Sequence, residues 1–564
     1  LQWTRVPNMQ ATPGLVMLEI DGLSEPVLQQ ALARGWMPTV QRWLASGSHQ
    51  VLGWECDLSS QTSASQAGIL LGTNSNVPAF RWYEKESGRI MVSNQPDMAA
   101  EIERRLSTGR GLLSSGGVSC ANMFSGDASD SVLTFSTATR RQGHYSRHYM
   151  FFFASPFAVA RTSVLFVGDV LRELYEAIRQ VALDVRPRVQ RGGVYPLVRA
   201  VATTLLREVT VHTVMAEMIR GVPVLYATFV GYDEVAHHSG VARLDALRTL
   251  HALDHQFALL ERTARYAPRP YHFVILSDHG QSQGATFRQR YGMTLKNLVK
   301  QLIPVAQTVE DVPTAPESWG VVNSLLTEAS LQNNVVGVAV RRALLNRLED
   351  GSVMLGKEAQ AQRRRVQTPQ QEPQVVVLAS GCLGLIYFTA RKERLTYEQI
   401  NAFYPRLIST LAQHEAIGFL LVHSETHGAL AIGAKGVYYL DTNRVEGENP
   451  LAPFGNNAAR HLRREDTFEH VPDIVVNAYY DADTTEVPAF EELVGSHGGL
   501  GGNQMKPFVI HPAEFDPGTE PIVGASQLHR LLQRWLTQLH TERAQATLVT
   551  GEVAHALPFD AEAG

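Results

Sequence analysis

Cysteine is scarce in this chain of 564 residues. The three cysteines, Cys56, Cys120 and Cys382, lie far apart and are odd in number. Such a set excludes a disulfide framework and a zinc site built from cysteine thiolates. Any metal site in this protein therefore has to use histidine and carboxylate ligands.

An excess of one charge is also lacking, because the formal net charge is only −5. This balance gives no support to nucleic-acid binding through bulk positive charge, and we expect none. With 44% hydrophobic and 19% charged residues, the composition is that of an ordinary globular protein with a sizeable core. The composition leaves the oligomeric state open.

Long uninterrupted apolar runs are missing as well. The most apolar stretch, residues 149–171, contains Arg161 and Asp169 and falls short of a membrane-spanning helix. No secretory signal is visible. Because the chain starts at Leu1 rather than at methionine, an upstream signal or anchor stays open, and with it a membrane-anchored or extracytoplasmic setting.

Apolar segments of strand length alternate with segments of helical spacing along much of the chain. The stretch "PGLVMLEIDGLS" predicts a buried strand that ends at a glycine turn, and a helical pattern follows it. The same alternation returns in "VPVLYATFVGYDE" and "YHFVILSDHG". It predicts an α/β fold whose core is a mostly parallel sheet flanked by helices.

Two parts of the chain depart from this alternation. Long helical patterns without intervening strands predict a helical insertion or cap, and a later set of strands around one helix predicts a small α+β subdomain. The predicted division is a first core part at 1–125, the helical insertion at 126–222, a second core part at 223–300, an irregular segment and linker at 301–375, the α+β subdomain at 376–455, and a last core part with a C-terminal helix at 456–564.

Four short stretches place acidic or imidazole groups after predicted strands or between glycines. They are Asp21, Asp233 with His237, Asp278 with His279, and His497. Ligands of open α/β sheets bind beyond the carboxyl ends of the strands, and three of these stretches directly follow a predicted strand. The four stretches are therefore candidates for one common site.

Each stretch alone also has a structural interpretation. An aspartate after a strand, such as Asp21, usually caps a turn or a helix. Asp233 and His237 fit a surface pair at a helix start equally well, and His497 fits a flexible loop. The adjacent "DH" of "LSDHG", by contrast, favours function, because two polar residues there end a buried strand.

Taken together, the three aspartates and three histidines form a ligand set for two divalent metal ions with nitrogen and oxygen donors. Two ions about 3.5–4 Å apart suit phosphoryl transfer, because one activates a nucleophile while the other holds a phosphate oxygen. Three histidines favour Zn²⁺, with Mn²⁺ as the alternative. The nucleophile has to come from elsewhere in the chain.

The stretch "SSQTSASQAGILLG", residues 59–72, offers five hydroxyls, and with it the chain resembles the alkaline phosphatase superfamily, in particular its type I phosphodiesterase/nucleotide pyrophosphatase branch. That branch has a strand-end Asp, a Thr or Ser nucleophile ten residues before a glycine, an Asp-x-x-x-His-x-x-Gly, an Asp-His-Gly and a late Gly-x-His-Gly, in that order. The matching residues are Asp21; Thr62 and Gly72; Asp233, His237 and Gly240; Asp278, His279 and Gly280; and Gly495, His497 and Gly498. The resemblance spans residues 21–498, apart from the insertion and the linker.

The resemblance implies an alkaline-phosphatase-like core, two metal sites and a threonine nucleophile. One metal ion would be held by Asp233, His237 and His497, and the other by Asp21, Asp278, His279 and the Thr62 oxygen. Thr62 would be the catalytic residue, forming a phosphothreonine intermediate that water then releases.

Ser65 is the point where the sequence departs from the family. Nucleotide pyrophosphatases usually carry an asparagine three residues after the nucleophile, where it binds a phosphate oxygen. A serine is shorter and donates only one hydrogen bond, so Ser65 is a weaker substrate-binding candidate. Four polar residues just after the helix are alternatives with a structural role favoured for each: Asn74, Asn76, Arg81 and Lys85.

A basic cluster precedes the most apolar stretch. It consists of Arg140, Arg141, His144, Arg147 and His148. A solvated turn before a core helix explains such a cluster, and so does an edge that recognises anionic lipid or phosphate.

The leading functional prediction is a metal-dependent hydrolase of phosphodiester or pyrophosphate bonds, acting on a phosphate-ester small molecule or a lipid head group. A phosphomonoesterase or phosphomutase would share the metal set, as would a transferase of phosphoglycerol or phosphoethanolamine from lipid. A non-catalytic, membrane-associated scaffold is the alternative of another class. Membrane association stays open.

Overall fold

The computed structural model describes residues 12–138, 155–304 and 374–554, with shorter pieces at 152, 309–310, 342, 348–349 and 352–353; within 540–554 it describes the backbone only. The basic cluster at 140–148 and most of the irregular segment predicted at 301–375 lie outside the described residues.

The strands belong to two large sheets and three small ribbons. Numbered β1 to β21 in chain order, they are Gly14–Ile20, His49–Gly53, Arg81–Glu84, Arg89–Val92, Val118–Cys120, Asp130–Val132, Val224–Phe229, Tyr271–Leu276, Ser282–Gln283, Val309–Glu310, Leu348–Glu349, Ser352–Val353, Val375–Ser380, Leu383–Phe388, Ile417–Ser424, Gly428–Ile432, Gly436–Tyr439, Arg444–Gly447, Ile474–Ala478, Gly495–Ser496 and Phe508–Pro512.

The helices flank these sheets. Numbered α1 to α15 in chain order, they are Glu25–Ala33, Pro38–Ala45, Thr62–Gln66, Pro96–Leu106, Pro156–Ala182, Tyr195–Ala200, Arg207–Arg220, Gly231–Ser239, Leu244–Ala264, Phe287–Tyr291, Leu295–Leu302, Tyr397–Phe403, Leu407–Gln413, Ala458–Asp466 and Ala525–Ala554. Two π-helical segments continue them, Ala67–Leu71 after α3 and Val201–Leu206 between α6 and α7. Short 3₁₀ turns lie at Phe135–Thr137, Ala452–Phe454 and Gly502–Met505.

The main sheet has the order β2-β21-β8-β1-β7-β5-β6 and confirms the predicted fold class, α/β with a mostly parallel sheet flanked by helices. β1 is parallel to both β7 and β8, and β5 is parallel to β6 and β7. Every residue of β1 is buried, as its nearly continuous apolar sequence requires in the middle of a parallel sheet. The carboxyl ends of β1, β7 and β8 consequently lie side by side at one edge.

One edge of this sheet differs from the predicted alternation. β2 follows the first two helices, as the sequence predicts, but it pairs antiparallel with β21, which is itself antiparallel to β8. The partner of β2 lies more than 450 residues further along the chain, so no local sequence pattern could predict this pairing.

The range 126–222, predicted as a helical insertion, contains long helices and also β6 of the main sheet. α5 covers 27 residues, and α6, the π-helical segment and α7 follow one another without a break from Tyr195 to Arg220. Among the residues that the structure describes, no helix combines the length and the apolar content needed to cross a membrane.

The second sheet has the order β10-β13-β14-β19-β15-β16-β17-β18 and is mostly antiparallel. α12 and α13 lie between β14 and β15 in sequence, and α13 packs on β15. β19, which lies beyond the predicted subdomain bounds of 376–455, is inserted between β14 and β15. The sheet is therefore assembled from segments that are not contiguous in sequence.

Candidate metal centre

Three aspartates meet at the carboxyl edge of the main sheet. Asp21 directly follows β1, Asp278 lies two residues beyond β8, and Asp233 lies in the first turn of α8, which begins just after β7. Because β1 pairs in register with both neighbouring strands, the three segments emerge at the same level. All three side chains are buried.

One ligand cluster consists of Asp233, His237 and His497, whose candidate ligand atoms all lie within 4.8 Å of one another. His237 Nε2 is 3.0 Å from Asp233 Oδ2, as the four-residue spacing on one face of α8 allows. His497 Nε2 is 3.8 Å from Asp233 Oδ1 and comes from the loop after β20. The structure thus brings together residues that are 264 positions apart in sequence.

A second cluster consists of Asp21, Asp278 and His279, again with ligand atoms within 4.8 Å of one another. His279 Nε2 lies 3.2 Å from Asp278 Oδ2 and 3.6 Å from Asp21 Oδ1. The Gly22 backbone N–H donates to Asp278 Oδ1 at 3.3 Å, which orients that carboxylate. The imidazoles of His279 and His497 stack with centroids 3.9 Å apart, so the two clusters are direct neighbours.

Thr62 is the first residue of α3 and lies against the second cluster. Its Oγ1 is 3.1 Å from His279 Nε2 and 3.4 Å from Asp21 Oδ1. Ser60, two residues before Thr62, is bound to the loop that carries His497. Its Oγ donates to the Gly499 carbonyl at 2.8 Å, and its carbonyl accepts from His497 Nδ1 at 2.9 Å. The threonine and the His497 loop therefore position each other.

All three histidines of the clusters direct Nδ1 at a backbone carbonyl. The distances are 2.7 Å from His237 to Gly495, 2.9 Å from His497 to Ser60 and 3.0 Å from His279 to Gly280. An Nδ1 that faces a carbonyl oxygen has to carry the proton, which makes Nε2 the ring atom whose lone pair can bind a metal ion. Burial lowers the pKa of both His279 and His497, so these rings are neutral at physiological pH.

The Asp278 carboxylate faces one of these Nε2 lone pairs with an oxygen lone pair of its own. Asp278 Oδ2 is buried and accepts no hydrogen bond among the described residues, although it lies 3.2 Å from a nitrogen that carries a lone pair. Burial raises the pKa of Asp278 to about 7, and the negative charge of Asp233 adds to the shift. Two facing lone pairs and an excess of buried negative charge are what a bound cation neutralises.

A small pocket opens beside Thr62, Asp21 and Asp233. Much of its remaining wall is apolar and is formed by Phe80, Ala121, Met123, Phe135 and Val230. A mostly apolar wall with a few polar groups at one end is typical of a small-molecule site.

Ser65 is buried in α3 and does not line this pocket, and its Oγ has no hydrogen-bond partner among the described residues. The four residues considered as replacements for the family asparagine bond to other groups. Asn74 bonds to Asp57 and Arg464, the Asn76 side chain accepts from the Glu469 backbone, Arg81 pairs with Glu491, and Lys85 pairs with Asp473. Those contacts favour a structural role for all four.

Gln281 is a site residue that the sequence analysis missed. Its Nε2 donates to the Asp233 carboxylate and also, at 3.2 Å, to the Asp233 backbone carbonyl. Only its position two residues after "DH" could have indicated it. The backbone carbonyls of Ser60 and Gly495 carry no sequence signal, because any residue type supplies them.

Comparison with known proteins gave matches only among solved structures; no family model and no curated protein matches the sequence. Phosphonoacetate hydrolase from Sinorhizobium meliloti 1021, in complex with phosphonoformate, is 12% identical with a TM-score of 0.47, over 94% of this chain and 97% of that one. Murine ectonucleotide pyrophosphatase/phosphodiesterase 5, as an inactive variant in complex with AMP, is 10% identical with a TM-score of 0.42, over 93% of this chain and 95% of that one.

Proposed function

We propose that this chain is a metal-dependent hydrolase of phosphodiester or pyrophosphate bonds that uses Thr62 as its nucleophile, within the alkaline phosphatase superfamily. The observation that carries the proposal is the position of Thr62 Oγ1 against one of two adjoining clusters of three buried ligands each. A hydroxyl is a poor nucleophile by itself and needs metal coordination or a base to react at neutral pH.

The donor set fits two divalent ions, with Asp233, His237 and His497 around one and Asp21, Asp278, His279 and Thr62 around the other. Support comes from Asp278 Oδ2, which accepts no hydrogen bond among the described residues, and from the three imidazoles fixed through Nδ1. Nitrogen and carboxylate donors in this proportion favour Zn²⁺ over Mn²⁺. Such ions would lower the pKa of the hydroxyl and stabilise the negative charge of the transition state.

In this mechanism Thr62 reacts with the substrate, and the apolar pocket residues position it. Thr62 Oγ1 gives up its proton and forms a bond to phosphorus while the bond from phosphorus to the leaving oxygen breaks. The leaving oxygen takes up a proton and departs as an alcohol, and the resulting phosphothreonine keeps the other ester group. Water subsequently displaces the threonine oxygen, so that one diester and one water yield one monoester and one alcohol. Phe80, Met123 and Phe135 would hold the substrate and keep excess water from the reacting atoms.

The test compares Thr62→Ala and Asp278→Asn with the unaltered protein on bis-p-nitrophenyl phosphate in the presence of Zn²⁺. Both variants should lose at least about a thousandfold in rate. Ser63→Ala is the matched control, because it removes the neighbouring buried hydroxyl, which has no hydrogen-bond partner among the described residues. Full activity of either variant would eliminate the mechanism.

The same preparation distinguishes the alternative functions. A higher rate on p-nitrophenyl phosphate than on the diester would indicate a phosphomonoesterase, and a rate that depends on an added acceptor alcohol would indicate a transferase. A protein that binds no metal and turns over neither ester would be a scaffold.

A further inference from the structure

Helix α5 presents an apolar face to solvent. Phe157, Val164, Leu171, Tyr175 and Ile178 are each between 61% and 79% exposed, and we call them the apolar stripe. Four of them recur every seven residues, which is nearly two helical turns, so they form one row along the helix. An exposed apolar surface of this length normally marks an interaction site.

The charges of α5 are sorted between its two faces. Its three acidic residues, Asp169, Glu173 and Glu176, are buried against the rest of the protein. Asp169 accepts from Thr203, and Glu173 pairs with Arg191 at 2.6 Å. No carboxylate of α5 is therefore left on its outer surface.

The cations of the helix lie on the exposed side. The side chains of Arg161, Arg172 and Arg179 are between 43% and 55% exposed. On its inner side each lies within 4 Å of one largely buried carboxylate, in the order Glu208, Asp169 and Glu176. They are eleven and then seven residues apart, close to three and two helical turns, so they form a second row along one edge of the apolar stripe. The outward surface of α5 is thus apolar in the middle and cationic at one side.

We propose that the apolar stripe docks on an anionic lipid bilayer, with α5 lying in the plane of the membrane surface. The apolar side chains would enter the boundary between head groups and acyl chains, while the arginines reach the lipid phosphates along the edge. The anionic surface supplies the charge that the exposed arginines lack on their outer side.

A second copy of the chain on this face is disfavoured by the same charges. In a two-fold dimer that packs the two copies of α5 antiparallel, the arginine rows would lie side by side, and α5 has no exposed carboxylate to place between them. A helix of 27 residues is about 40 Å long, and a flat bilayer can contact all of that length at once.

α6, which packs on α5, contacts the helix that carries Asp233 and His237. The ring of Tyr195, at the start of α6, lies against the ring of His238 in α8 with centroids 4.0 Å apart, and its hydroxyl donates to the Glu234 carbonyl at 3.4 Å. Asp233 and His237 lie on the same helix. The proposal nevertheless stands apart from the chemistry at Thr62, because it concerns binding and not turnover.

The test is flotation of the full chain with vesicles of phosphatidylcholine alone and with vesicles that also contain phosphatidylglycerol. The unaltered protein should bind the anionic vesicles at least about tenfold more tightly, and added salt should weaken that binding. The triple variant Leu171→Glu, Tyr175→Glu and Ile178→Glu should lose at least about tenfold in binding. Phe403→Glu is the matched control, because Phe403 is a large exposed apolar residue on the separate helix α12.

A second variant tests the cationic edge without placing charge on the apolar stripe. Arg172→Gln with Arg179→Gln should reduce the preference for anionic vesicles. Hydrolysis of a soluble diester and the circular dichroism spectrum should stay unchanged in both multiple variants, which shows that they fold.

Three results would overturn the proposal. They are the absence of anionic-vesicle binding by the unaltered protein, equal binding by a folded triple variant, and a lipid-free dimer that the triple variant converts to monomer. The last result would assign the face to a second copy of the chain.

Discussion

Gln281 contacts the cluster of Asp233, His237 and His497 through Asp233. Its side-chain amide donates hydrogen bonds to the Asp233 carboxylate and to the Asp233 backbone carbonyl. Partners of this kind fix the orientation of a metal ligand and typically contribute 10- to 100-fold to metal affinity. We therefore predict that Gln281→Leu weakens Zn²⁺ binding at the cluster of Asp233, His237 and His497 by about 10- to 100-fold. Isothermal titration calorimetry of the metal-free protein measures this directly.

Gln283→Leu is the control for Gln281, because Gln283 is the same residue type two positions further along the chain, on β9, and does not belong to either ligand cluster. An equal loss of affinity in both variants would contradict a specific role for Gln281.

Glu465 is buried in α14, and neither of its oxygens has a hydrogen-bond partner among the described residues. Burial raises its pKa well above the ordinary 4.5, although the nearby Arg464 and Arg394 oppose the shift; Asp57 and Asp466 add to it. Above pH 4.5 the folded protein therefore keeps a proton that the unfolded chain releases. The free energy of unfolding then falls as the pH rises, by up to about 1.4 kcal/mol per pH unit.

We predict that Glu465→Gln removes this loss of stability between pH 5 and pH 8. Chemical unfolding at both pH values should show a smaller decrease in the variant than in the unaltered protein, whereas Glu469→Gln, an exposed neighbour, should behave like the unaltered protein. An identical pH dependence in the Glu465 variant would mean that this carboxyl is ionised in the folded state.

At the level of the elements, α3 and its π-helical continuation explain why the glycine at position 72 matters. Gly72 has φ +84, a left-handed conformation that ends the helical run, and a Cβ there would lie 3.0 Å from His529 of α15. His529 in turn donates from Nδ1 to the Ile69 carbonyl at 2.7 Å. The helix that begins with Thr62 is thus fixed at its far end by the C-terminal helix.

Gly68 packs against Ala525 at the start of α15. A Cβ at this position would lie 2.4 Å from the Ala525 Cβ, so Gly68→Ala has to push α15 and the π-helical turn apart. We predict a loss of about 1–3 kcal/mol in the free energy of unfolding, together with reduced diester hydrolysis because Thr62 shifts. Gly168→Ala is the control, since a Cβ there meets nothing within 4 Å and alanine favours the interior of α5. Equal stability of the two variants in urea unfolding would refute the tight contact.

The elements also show what the sequence could and could not predict. Asp21, Asp278 and His279 follow buried strands, and this local signal is enough to predict that they lie close together, as they do in the structure. The pairing of β2 with β21 and the insertion of β19 into the second sheet depend on segments far apart in the chain, which local periodicity does not describe. For α5 the helix was predicted, but the apolar residues did not reveal that their face points to solvent while the acids point inward.

On the scale of the whole molecule, the candidate metal centre joins the two large sheets. Asp21, Asp233 and Asp278 belong to the ends of the main sheet, whereas the His497 carbonyl accepts from the Cys382 N–H at 2.8 Å, between β13 and β14 of the second sheet. Gln61, next to Thr62, donates to the Ser380 carbonyl of β13 at 3.0 Å. Ions bound there would hold together five segments spread over most of the chain.

Metal binding should therefore stabilise the molecule as a whole. A ligand that binds only the folded state at 100 times its dissociation constant adds about 2.7 kcal/mol per site to the free energy of unfolding. We predict that Zn²⁺ raises, and chelation lowers, the midpoint of thermal unfolding measured by calorimetry. His237→Ala combined with His279→Ala should abolish the shift, because it removes one imidazole from each cluster, whereas Thr62→Ala should keep most of it while losing hydrolysis. Equal unfolding midpoints with Zn²⁺ and with chelator would show that the two clusters hold no ion. If Thr62→Ala keeps the midpoint shift but loses hydrolysis, the clusters bind the metal ions and the threonine acts as the nucleophile.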